Sequence, residues 1–125
     1  MQKVKQIRDQ IEKIEEAYEY MLAYAAQGRA EEGAGADGAQ IRTFLKQFSA
    51  ALTALEEATS LIIDENPAAG GFIEVFISES KVMASILLVL LARENLSSEV
   101  IDNTNGLISV RAYLTSLFFL DKSVL

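Results

Sequence analysis

Cysteine and histidine are both missing from the 125 residues. Without thiols there can be no disulfide, no thiolate metal site and no cysteine nucleophile. Without imidazole neither a Ser-His-Asp nor a Cys-His arrangement can be built, and the Glu-x-x-His motifs that hold di-iron centres in helical bundles are equally out of reach. No GxGxxG or GxxxxGK[ST] phosphate loop occurs. The chain is therefore expected not to be an enzyme, and no catalytic residue, cofactor or metal ligand is assigned. A carboxylate-only site for magnesium or calcium would have to come from the run EKIEEAYE. Its Glu12, Glu16 and Glu19 fall on the polar side of an amphipathic pattern, the mark of a solvated face.

Positive charge is scarce as well. Eleven basic residues against eighteen acidic ones leave a net charge of -7, so a phosphate backbone would on average be repelled and nucleic acid is not expected as a partner. Nor is there a long apolar run. The longest, VMASILLVLLA at residues 82–92, is closed off by Lys81 and Arg93, well short of the roughly 20 apolar residues of a spanning helix. No membrane span is expected, and because MQKVKQIRDQ lacks the apolar stretch of a secretory signal, a cytoplasmic location is expected.

What the chain has in quantity is hydrophobic residues, 50% of the total without glycine. A chain of this length is expected to fold as one domain over residues 1–125, and a small domain has much surface for its volume. Some of that apolar content is therefore expected to lie against another subunit, a client protein or an apolar ligand.

The apolar residues Val4, Ile7, Ile11, Ile14, Tyr18, Met21 and Ala25 recur in steps of three and four, which predicts an amphipathic helix over about 2–27. GRAEEGAGADG then reads as a flexible loop at 28–38. Asp37, with Gln40 three residues on, can cap a second helix over about 39–65, carrying Ile41, Phe44, Leu45, Phe48, Leu52, Leu55 and Ile62. Pro67 and the glycines of NPAAGG predict a reversal. A third helix is predicted over 71–94 and, being apolar nearly all round, is expected to be the most enclosed. A fourth is predicted over 97–120, capped near Ser97 and open to a kink at NTNG. The fold class expected is all-α, an antiparallel up-down-up-down four-helix bundle. Opposite charges place Lys3 near Asp64, Arg8 near Glu57 and Glu19 near Lys46 across the first two helices.

Three features are candidates for sites. Tyr18, Tyr20 and Tyr24 crowd the end of the first helix and could form an interaction patch. Gly71, Ser78, Ser85 and Ala92 recur every seven residues, a small-residue stripe that would let another helix approach. Arg111 is the only charge between Asp102 and Asp121, and if the last two helices turn about Asn95 it falls opposite Glu79, which predicts a structural ion pair. The function expected is a non-catalytic protein-interaction module, an adaptor, chaperone or regulatory subunit that self-associates as a homodimer and takes a protein client. The alternatives are a carrier for an apolar small molecule in a cavity lined by Phe44, Phe48, Met83 and Phe118, and the carboxylate-only metal site.

Overall fold

The computed structural model describes residues 2–33 and 36–125, and for residues 36–39 the backbone alone. Among the described residues the chain is entirely helical, with five α-helices and no strand. No helix is long and apolar enough to cross a membrane among those residues.

Helix α1 spans Gln2–Ala25. Its first half buries Ile7, Ile11 and Ile14, the seam expected from the spacing, but its second half buries Ala17 and Tyr24 and leaves Tyr18 and Ala25 half-buried. The shift has a visible cause, since the second half meets a second neighbour. The Asn105 Nδ2 donates to Met21 O at 3.2 Å and the Ser98 Oγ to Tyr24 O at 2.7 Å, drawing that side of the helix inward.

Helix α2 spans Ala36–Ser60 and buries Ile41, Leu45, Phe48, Ala51, Leu52 and Leu55. The expected cap by Asp37 lies outside the described side chains. The helix stops about five residues short of the expected end, where the hydroxyls of Thr59 and Ser60 donate to the Leu55 and Glu57 carbonyls at 2.8 Å each. Such back-bonding competes with the helical ladder. A turn follows over residues 61–66, and a 3-10 turn at Pro67–Ala69 leads straight into α3, Gly70–Leu91. The reversal is thus made before Pro67, which opens a helical turn that needs no amide hydrogen from it. Gly70 and Gly71 are helical rather than reversing.

The predicted fourth helix is two helices. Ser97 caps α4, Ser98–Asn105, by accepting from Val100 N at 3.2 Å, and the chain breaks at Gly106 and Leu107 before α5, Ile108–Phe119. The two halves serve different neighbours, α4 packing on α1 and α5 on α3, while α2 lies between α1 and α3. Phe76 and Tyr113 stack in the core with ring centroids 5.2 Å apart. Of the three expected charge pairs, Lys3 meets Glu65 at 3.1 Å instead of Asp64, and Arg8 meets Asp121 at 3.3 Å instead of Glu57. Glu19 and Lys46 form no ion pair among the described residues.

Candidate interaction face

Helix α3 carries two seams on opposite sides. Ile73, Phe76, Ser80, Met83, Leu87 and Leu90, in alternating steps of three and four, are buried against the core. Gly71, Val75, Ser78, Val82, Ser85, Val89 and Ala92 follow the same alternation, and all seven are exposed. A seam with that spacing keeps to one side of a helix, so a second apolar stripe runs along the outside. Val75 is 58% exposed, Val82 49% and Val89 64%. Single exposed aliphatics need no explanation, but three valines seven residues apart line up on one face, spaced only by the small side chains of Ser78 and Ser85.

This arrangement revises the expectation for the third helix. From Val82 onward it is apolar nearly all round, yet its neighbours α2 and α5 cover only its inner side and flanks. The stripe expected from Gly71, Ser78, Ser85 and Ala92 lies on the uncovered side, and the valines between them were missed although their spacing is equally legible. Beside the strip, Phe72 packs on Phe119 at 4.8 Å between centroids, and the Ser116 Oγ donates to Glu79 Oε1 at 2.7 Å, which seats α5 along one flank. On the other flank Lys81 lies 3.9 Å from Glu56 of α2. Ile108, at the start of α5, is 84% exposed.

The tyrosines do not make an exposed patch. Tyr24 is fully buried and its hydroxyl donates to Leu96 O at 2.7 Å, while half-buried Tyr20 stacks on Phe44 at 4.4 Å and Tyr18 is half-buried too. Burial, reinforced by the Glu32 carboxylate, raises Tyr24 above the ordinary tyrosine pKa. Nor are Glu79 and Arg111 brought together. Glu79 faces Ser116 and Arg111 is exposed, because α5 turns Val110, Tyr113 and Leu117 inward and Arg111 falls outside that seam. Of the four residues expected to line a cavity, Phe48 and Met83 are buried in the core, Phe44 stacks on Tyr20 and Phe118 is 57% exposed. Glu12, Glu16 and Glu19 are exposed along α1. Among the described residues no three carboxylates converge as metal ligands would.

The segment expected to be an unpacked linker is, over residues 29–32, clasped to the turn after α3. Arg29 N donates to Ser98 Oγ and Ser98 N to Arg29 O, both at 2.8 Å. Asn95 uses both ends of its amide, donating to Ala30 O at 3.0 Å and accepting from Glu32 N at 2.7 Å. The Glu32 carboxylate takes two bonds from the Arg42 guanidinium at 2.8 and 2.9 Å and a third from Leu96 N at 3.2 Å. Arg42 also donates to the carbonyls of Leu91 and Arg93, closing the open end of α3. Gly28 and Gly33, both at positive φ, turn the backbone at either side of the clasped residues.

In the core, Ser80 Oγ, Tyr113 Oη and Asn105 Oδ1 are buried without a hydrogen-bond partner among the described residues. Burial drives the Tyr113 hydroxyl far above its ordinary pKa, with neighbouring Ser80 opposing and Glu79 adding to the shift. Compared with protein-family models, curated proteins and solved structures, the chain matches none.

Proposed function

We propose that the protein is a non-catalytic interaction module that works as a self-associating acidic helical bundle, with the outer face of α3 as its contact surface. The observation that carries this reading is the exposed strip of Val75, Val82 and Val89 on a helix whose inner face is already satisfied by the core. Aligned aliphatic side chains lose their contact with water when a second apolar surface covers them, and each valine contributes up to about 1.5–3 kcal/mol when burial is complete. A client protein would use the same surface or the exposed Ile108 beside the start of α5.

In this reading α4 and α5 act together as a broken fourth member of an antiparallel up-down-up-down bundle. The contacts of Lys3 with Glu65, Lys81 with Glu56, Glu79 with Ser116 and Tyr24 with Ser98 support that order. The broken member leaves α3 with no neighbour on its outer side.

The test is sedimentation velocity at tens of micromolar. The wild-type chain is expected to sediment as a dimer or larger, and Val82→Lys as a monomer with unchanged helicity by circular dichroism. A wild-type monomer at those concentrations would overturn the proposal.

A further inference from the structure

We infer that the partner of this face is a second copy of the same chain, docked with its α3 antiparallel to the first. The inference rests on the self-association proposed above and adds the orientation and register of the contact.

The strip alternates bulky and small residues. Taking Val75, Val82 and Val89 as heptad positions a, the intervening Ser78, Ser85 and Ala92 are positions d. In a parallel pair each layer meets its own kind, so valine faces valine in one layer and two small side chains face each other in the next, and wide layers alternate with narrow ones. An antiparallel pair sets a against d. One register then aligns the whole strip, with Val75 facing Ala92, Ser78 facing Val89 and Val82 facing Ser85 of the second copy. Every valine meets a small residue, and the axes can approach to about 8 Å, the close end of the range for packed helices. The contact is isologous and closes at two copies.

The flanking charges choose the same orientation. Glu74, Lys81 and Leu88 border the strip on one side, at heptad position g, and Glu79, Ile86 and Arg93 border it on the other, at position e. Parallel helices bring g of one copy against e of the other, five residues on, which would set Glu74 against Glu79 and repel. Antiparallel helices bring e against e and g against g. Side chains lean toward their own N-terminus, so Glu79 of one copy and Arg93 of the other lean toward each other, and symmetry makes the pair twice. The second oxygen of Glu79 takes no hydrogen bond among the described residues, since Ser116 engages only Oε1, and Arg93 is exposed and reaches no acid there. On the other border Lys81 lies over Leu88 of the second copy, and the two Lys81 ammonium groups lean apart.

The chain has no cysteine of its own, which makes cross-linking unambiguous. Ser78→Cys protein is mixed with a mass-tagged Val89→Cys protein and oxidised, beside each variant alone, with sedimentation of the wild type in parallel. The expected result is a covalent heterodimer from the mixture and little product from either variant alone, because a disulfide forms only where Cα atoms come within about 7 Å. A Val82→Cys variant that links to itself while the mixture does not would mean parallel helices and would overturn the inference. A wild-type dimer with no cross-link in any combination would place the second copy on another face and overturn it as well. In both cases self-association stands, whereas a wild-type monomer removes self-association and this inference together. Charge reversal supplies an independent arm: Arg93→Glu is expected to weaken the dimer by about tenfold, and adding Glu79→Lys to restore it. Absence of that rescue would contradict the register.

Discussion

The clasp around Arg42 holds the C-terminal end of α3, beside the last residues of that helix's outer face, yet the two regions are finished to different degrees. At the clasp, Glu32, Asn95, Ser98 and Tyr24 each have a partner at hydrogen-bond distance, and most of those partners are backbone groups. Along the outer face, three valines have solvent where a neighbour could be. A buried polar group without a partner costs folding energy outright, so the fold must complete such a region by itself. An exposed aliphatic strip costs the isolated fold little and can wait for a partner. Substitutions at the clasp should therefore act on stability, and substitutions on the strip on association.

The largest effect should come from Arg42→Met. It strands the Glu32 carboxylate, 14% exposed, and opens the end of α3, and is expected to lower the unfolding free energy by about 2–3 kcal/mol, less than for a fully buried pair because both side chains keep some water contact. Urea unfolding checks it, and association should be unchanged once refolding conditions are matched. Were Arg42→Met to dissociate the dimer without destabilising the fold, the division between the two regions would be wrong.

Tyr24→Phe removes the hydroxyl that donates to the Leu96 carbonyl and is expected to cost about 1–2 kcal/mol. Tyr113→Phe removes a buried hydroxyl with no partner and is expected to be neutral or to raise stability by up to about 1 kcal/mol. The same two tyrosines set the alkaline limit. Both have folded-state pKa values raised above the unfolded value of about 10, so their contribution is fully present below pH 10 and is lost as pH rises toward the folded values. Unfolding free energy measured from pH 9 upward should fall, and Tyr113→Phe should flatten that fall. The smallest effect on the fold is expected from Val82→Ser, within about 0.5 kcal/mol for the monomer, because that side chain has little to lose.

How much of this was legible in the sequence depended on how far apart the interacting residues lie. The helical class, the seam of α1 through Ile14 and the starts of α3 and α4 follow from local spacing and capping. The clasp does not, because Glu32 and Leu96 are 64 residues apart and nothing in GRAEEGAGADG marks which acid will be docked. Glycine and charge read locally as a loose loop, and a single arginine ten residues on reverses that reading. The Glu79 and Arg111 expectation failed for a different reason. Phe72 meets Phe119 and Phe76 meets Tyr113 close to the expected register, but an index sum sets height along a helix and not facing, and α5 turns Val110, Tyr113 and Leu117 inward and leaves Arg111 outside. The contact strip is half legible, as a ladder of small residues, because an apolar helix reads as an enclosed one and its spacing alone does not say which of two seams the core takes.

The clasp has a consequence for timing. Apart from the Glu32 and Arg42 pair, ten residues apart, its hydrogen bonds join segments 49 to 74 residues apart, whereas α1 and α2 can pair as soon as both are made. Loop closure over such separations is slow to be rewarded, so the clasp should form late, after the transition state for folding. Interactions made late leave the folding rate alone and slow the reverse step. Arg42 and Glu32 would then act as a latch on lifetime, and Arg42→Met should speed unfolding in stopped-flow denaturant jumps while leaving the refolding limb nearly where it was.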